Sequence, residues 1–206
     1  MDPALRELGE HIATVFPREV LRWSAPLDEL RACVEREAIV SVLMHLRDDV
    51  NCQFKQLMDV CGVDHPARSR RFDVVYNLLS LTHNRRIRIK LETDEETPVP
   101  SVVGVFSAAN WWEREVWDLM GIHFSDHPDL RRIMTDYGFD GHPLRKDFPL
   151  TGYVEMRYDD EQKRVVYEPV KLAQEYRRFD FLSPWEGVQR VLPGDEKAEP
   201  ANGDDA

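Results

Sequence analysis

No window of this 206-residue chain approaches the roughly 18 consecutive apolar residues of a membrane-spanning helix, so a span is excluded. Positive charge is scarce: 27 Lys and Arg stand against 38 Asp and Glu, for a net charge of -11. A chain this acidic is repelled by phosphate backbones, which argues against general nucleic-acid binding. Cysteine is sparse as well. Cys33, Cys52 and Cys61 form no C-x-x-C pair. Neither a zinc ribbon nor an iron–sulfur cluster can then be built by this chain alone, and the thiols read as buried and reduced. No glycine pattern matches a dinucleotide fingerprint, a P-loop or a nucleophile elbow. The opening Met1-Asp2-Pro3-Ala4-Leu5-Arg6-Glu7 resembles neither a signal peptide nor a transit peptide, so a cytoplasmic location is expected.

What the chain does have is apolar material for one core, at 42% hydrophobic residues, and a well-solvated surface, at 32% charged residues. Asp2-Pro3 is a helix-opening pair, and Leu5, Leu8, Ile12 and Val15 then repeat at helical spacing up to Pro17. Short strands are expected over 20–25 and 29–34, and a second helix over 36–47 with Ile39, Val42, Leu43 and Leu46 on its apolar face. Strands follow at 54–60, 72–81 and 85–91. The first of these last two is apolar on both sides, as in a central strand. In the other, Ile87, Ile89 and Leu91 alternate with Arg86, Arg88 and Lys90, which reads as an edge strand with a solvated basic face or, alternatively, as a docking surface for an acidic partner. A third helix is expected over 111–120, capped by Asn110 with Glu113 reaching back, and closed by Gly121. These elements are expected to form one domain over 1–141.

From His142 onward, prolines at 143, 149, 169, 184 and 193 forbid a long helix, yet aromatic residues remain frequent. An irregular arm over 142–192 is expected, followed by an acidic, frayed tail over 193–206. Holding about fifty such residues in place calls for roughly 2,000–3,000 Å2 of apolar burial. Permanent protein interfaces offer areas of that size, so a partner-wrapping arm fits.

The densest chemistry lies between these parts. The blocks E-R-E-x-W-D-L-x-G-x-x-F-x-x-H-P-D-L-R-R-I, from Glu113 to Ile133, and G-H-P-L-R-K-D-F-P, from Gly141 to Pro149, are long and ungapped. They resemble the signature of the NADH–quinone oxidoreductase C subunit, which lies in the peripheral arm of respiratory complex I. The strand Arg71-Phe72-Asp73-Val74-Val75-Tyr76 is similar to that family's central strand. The run from Tyr167-Glu168-Pro169 to Phe181-Leu182-Ser183-Pro184-Trp185 looks like its α-proteobacterial members.

The resemblance implies an α+β domain, a mixed sheet flanked by helices, in a structural subunit with no catalytic residue, metal or cofactor of its own, within a proton-translocating complex that uses NADH, FMN, iron–sulfur clusters and quinone. It implies an arm embracing the D subunit, which together with the B subunit forms the quinone pocket, at the cytoplasmic face of the bacterial inner membrane. Membrane attachment would be indirect. The residues expected to face partners are Trp111, Glu113, Arg114, Glu115, Trp117 and Asp118 on the third helix, then His127, Asp129, Arg131 and Arg132. His142, Arg145, Lys146 and Asp147 follow, with Tyr167, Phe181 and Trp185 on the arm. Within this set Arg131, Arg132, Arg145 and Lys146 would meet carboxylates, and Trp111 and Trp117 would fill pockets. An alternative reading is a metal-dependent hydrolase using His123, His127, Asp129 and His142.

Overall fold

The structure is a computed structural model that describes residues 2–174 and residue 176. Helix α1, Pro3–Val15, opens where Asp2 accepts the Ala4 N–H at 2.9 Å, as the Asp-Pro pair predicts. It buries Leu5, Leu8 and Ile12. Strands β1 (Val20–Ser24) and β2 (Leu30–Val34) lead into helix α2, Ile39–Asp48, whose Ile39, Val42, Leu43 and Leu46 are all fully enclosed. Then come β3 (Gln56–Asp64), β4 (Phe72–Ser80) and β5 (Arg85–Thr93).

These five strands form one sheet in the order β1-β2-β5-β4-β3. All pairings are antiparallel except β2 with β5, which is parallel, so the sheet is mixed as expected. The register aligns Ala32, Ile89, Tyr76 and Val60 in one apolar row across four strands. On β5 the alternation predicts the inward face, since Ile87, Ile89 and Leu91 are buried. Its position is corrected: β5 lies inside the sheet between β2 and β4, not at an edge. Two side chains of its basic row are accordingly paired. Lys90 meets Asp73 at 2.6 Å, and Arg88 approaches Glu29 at 3.5 Å and donates to Asn77 at 3.1 Å.

After β6 (Val99–Pro100), helix α3 runs Ala109–Met120 and β7 (Phe124–Ser125) pairs in parallel with β6. Helix α3 comes close to β3, where a Cβ on Gly62 would lie 3.0 Å from Met120 and 3.3 Å from Ile122. Its start is also corrected. Ala108 occupies the N-cap without a side-chain bond, because Glu113 turns across the fold instead of back to Asn110. Gly121 closes α3 at φ 77° in the left-handed region, as its placement predicts.

A first compact unit ends at Tyr153 and a second opens at Val154. Residues 142–153 fall within the first unit. The Leu144 N–H reaches the Leu119 carbonyl at 3.0 Å, and Phe148 packs against Phe139 and Tyr153. The second unit contains a hairpin, β8 (Val154–Asp159) with β9 (Arg164–Pro169), where the sequence suggests only irregular chain. The residues Val-Glu-Met-Arg-Tyr and Arg-Val-Val-Tyr-Glu favour strands. Asp159 turns the chain between them by accepting the Glu161 and Gln162 N–H groups. Phe181, Trp185 and the tail over 193–206 lie outside the described residues.

Candidate functional site

Two of the three carboxylates of α3, Glu113 and Asp118, are turned into the protein. Asp118, fully buried, sits near the helix end and holds the loop that follows β7. Its Oδ2 accepts the N–H groups of Ile133, Met134 and Thr135 at 2.9, 2.7 and 2.9 Å. Its Oδ1 accepts from Arg132 at 2.8 Å and from the Thr135 hydroxyl. Burial would raise the pKa of this carboxyl, but the Thr135 hydroxyl and the three backbone donors hold it well below the usual carboxylate range. Arg132 continues to the Gly141 carbonyl at 3.2 Å, and the His142 ring bonds the Asp118 carbonyl at 2.8 Å. One aspartate therefore fixes both ends of the segment from Arg132 to His142.

Glu113, also fully buried, accepts from the Ser101 hydroxyl at 2.6 Å and the Val102 N–H at 2.7 Å. Burial pushes this carboxyl up to about 7, against the two hydrogen bonds that favour its charged form. His127, whose side chain is enclosed, donates from Nε2 to the Asn110 carbonyl at 3.1 Å and accepts the Asp129 N–H at Nδ1, 3.0 Å. Arg114, 8% exposed, donates to the carbonyls of Arg131 and Arg132.

A second knot binds the Gly141–Pro149 block to the sheet. Arg71 forks onto Asp64 at 2.7 and 2.8 Å and also reaches Glu95 at 2.8 Å and Asp147 at 3.0 Å. The Lys146 N–H joins Asp64 at 2.7 Å. Arg145 caps α3 by donating to the Met120 carbonyl at 2.7 Å and pairs with Glu95 at 2.9 Å. Both guanidinium groups lie over the Phe72 ring, at 5.2 and 5.1 Å. The Arg71 bonds come first among the causes that lower the carboxyls of Asp64, Glu95 and Asp147.

These two knots are built from the blocks that are most distinctive in the sequence, and the comparisons agree with what the blocks suggest. Residues 32–154 match the family model "Respiratory-chain NADH dehydrogenase, 30 Kd subunit". The NADH-quinone oxidoreductase C subunit of Paramagnetospirillum magneticum is 67% identical over 199 residues, 96% of this chain and 100% of that protein. The protein of the same name from a Methylobacterium species is 64% identical, over 96% of this chain and 92% of the relative. The chain belongs to this family. Among solved structures, a chain of the membrane-bound sulfane sulfur reductase, an archaeal respiratory membrane complex, shares the fold. Its TM-score is 0.61 at 22% identity, over 70% of this chain and 85% of that one.

Family membership and geometry together remove the hydrolase alternative. His123 is exposed, His127 spends both ring nitrogens on backbone groups, Asp129 pairs with Arg131, and His142 is bonded to the helix end. These four do not converge on one point.

The residues expected to face partners in this 30 kDa-type family fall into two groups. Glu113 and Asp118 are removed from the surface because their oxygens saturate internal donors. Arg114 and His127 are likewise enclosed, and Arg132, His142 and Arg145 bond mainly to their own chain. Trp111, at 67% exposure, Arg131, Lys146, Asp147 and Tyr167 remain outside, while Glu115 and Trp117 are half-buried. Tyr137 and Leu150, which the sequence reading did not single out, are 96% and 85% exposed. Large apolar side chains beside prolines and turns were the signal available for them. Among the described residues, no helix is long and apolar enough to cross a membrane.

Proposed function

We propose that this chain is a scaffold in the peripheral arm of a proton-translocating NADH:quinone oxidoreductase. It braces the quinone-site D and B subunits at the cytoplasmic face of the inner membrane. Electrons pass from NADH through FMN and iron–sulfur clusters on neighbouring subunits to quinone, and this polypeptide contributes shape and adhesive surface. Attachment to the membrane runs through the complex.

The observation that carries the reading is the β8–β9 hairpin. Val154, Met156, Tyr158, Val165 and Tyr167 are each more than half exposed, and the register, with Met156 opposite Tyr167 and Tyr158 opposite Val165, gathers them on one face of the ribbon as a continuous apolar row. An isolated two-stranded hairpin is marginal in water, and one with this surface is supported by a partner. The first unit supplies a second adhesive feature, a surface locked in place by the Asp118 and Asp64 knots and studded with Trp111 and Tyr137.

Co-expression with the B and D subunits tests this. The full chain should co-elute with them on size exclusion. A chain ending at Tyr153 should fold and fail to co-elute with the D subunit. Co-elution of that shortened chain at full yield would overturn the proposal.

A further inference from the structure

Away from the surfaces discussed above, α1 and the end of α2 bring four metal-ligating side chains together: His11, His45, Asp49 and Cys52. One ligand atom from each lies within 4.8 Å of the others. His11 comes from the C-terminal half of α1, His45 from the last turn of α2, Asp49 from the residue closing that helix, and Cys52 from the turn toward β3. The chemistry is two imidazoles, a carboxylate and a thiol.

Two features separate this cluster from an ordinary polar contact. The Nε2 atoms of both His11 and His45 are buried without a hydrogen-bond partner. His11 Nε2 stands 3.4 Å from Asp49 Oδ1, close to it but not hydrogen-bonded. Buried ring nitrogens left in that state are unfavourable, and two of them beside one carboxylate and one thiol make a donor set awaiting an acceptor of electron pairs. The backbone around them is also preset. The Asp49 N–H bonds the His45 carbonyl at 2.8 Å, the Cys52 N–H bonds the Asp49 carbonyl at 3.1 Å, and the Asn51 N–H holds Asp49 Oδ1 at 2.9 Å. The Cys52 thiol is itself hydrogen-bonded to the Asp49 carboxylate, so these two side chains already face each other.

We propose that His11, His45, Asp49 and Cys52 form a structural zinc site that staples α1 to the α2–β3 turn. Tetrahedral zinc, with bonds of about 2.0–2.3 Å, places its donors about 3.3–3.8 Å apart, so modest side-chain rotation closes the present spacing. The mixed nitrogen, sulfur and oxygen set suits zinc and excludes magnesium and calcium, which take oxygen. On binding, the Cys52 thiol releases its proton to solvent and no electron moves. Phe16 lies edge-on to the His45 ring at 5.3 Å and shields that side. On the other, an open depression of about 350 Å3, lined by Glu7, His11, Asn51, His83 and Arg85, borders His11 and gives a route for the ion. The site is independent of the scaffold role and of the partners.

The test uses the full chain, purified under reducing conditions, stripped with chelator and dialysed against zinc chloride and then metal-free buffer. One zinc per chain should remain, and thermal unfolding should shift upward on loading. Cobalt(II) in place of zinc should give a thiolate charge-transfer absorption that disappears in Cys52→Ser. His11→Gln, at a partly exposed position, should weaken zinc binding at least about tenfold while circular dichroism stays unchanged. If Cys52→Ser does not fold, His11→Gln decides alone. Failure of the wild-type chain to retain zinc, or equal retention by His11→Gln, would overturn the proposal.

Discussion

Arg71 grips Asp64 through two parallel hydrogen bonds, Nε to Oδ1 at 2.7 Å and Nη2 to Oδ2 at 2.8 Å. The pair joins the end of β3 to the chain just before β4, and the side chain of Asp64 is fully buried. The same carboxylate receives the Lys146 N–H, so the pair also docks the Gly141–Pro149 block on the sheet. A bidentate pair with one enclosed partner is far stronger than a surface ion pair, because its loss strands a desolvated group.

Asp64→Ala should therefore lower stability by about 2–3 kcal/mol, with Arg71 retaining Glu95 and Asp147 as partial compensation. The check is urea unfolding: the midpoint should fall while the slope stays constant. A midpoint within experimental error of wild type would show the pair to be dispensable.

Glu113 makes stability depend on pH in the direction opposite to that of an ordinary paired carboxylate. Its folded pKa is raised from 4.5 to about 7, so the folded state holds the proton more tightly than the unfolded chain. The favourable contribution is complete below about pH 4.5, declines as pH rises, and is lost by about pH 7, a change on the order of 2–3 kcal/mol. Glu113→Gln mimics the protonated form, since its oxygen can accept from Val102 and its amide can donate to Ser101. That variant should flatten the stability profile between pH 5 and 7 and match or exceed wild type at pH 8. A Glu113→Gln profile parallel to wild type across this range would refute the assignment.

Asp118 behaves in the usual sense. Its carboxyl is held below the usual carboxylate range, so its contribution is present above about pH 4 and fades as pH falls through the lowered folded value. Asp118→Asn replaces one acceptor oxygen with a donor facing other donors. A loss of about 2–4 kcal/mol is expected. Limited proteolysis should also begin to cut between Arg132 and His142, the segment that Asp118 and its carbonyl fasten at both ends. Unchanged resistance there would mean that the loop is held by other contacts.

Met156→Ser and Tyr158→Ser act on exposed groups of β8, at 56% and 57% exposure. Stability of the isolated chain should stay within about 0.5 kcal/mol of wild type. Co-elution with the D subunit should weaken clearly in the double variant. Full co-elution would place the contact elsewhere on the chain.

Local patterns were legible where one side chain answers to its immediate neighbours. Asp2 caps α1, Gly121 closes α3, and Ile87, Ile89 and Leu91 turn inward from β5, all as their spacing predicts. The same kind of reasoning failed for Glu113. A glutamate three residues after Asn110 fits a capping box, but Ser101 and Val102 offer it two better-placed donors from across the fold. It failed again for Arg132 and Arg145, which resemble surface cations yet are drawn inward by Asp118, Glu95 and free helix carbonyls.

The order of residues alone determined the α+β class, most element positions, the inward faces and the family, because each rests on periodicity, caps or contiguous blocks. Tertiary structure decided the central place of β5, the burial of Glu113 and Asp118 and the meeting of His11 with His45, Asp49 and Cys52. Those outcomes depend on which distant segments pack together. Enclosure then changes the balance between solvation and pairing for every charged group involved, and that balance has no signature in local sequence.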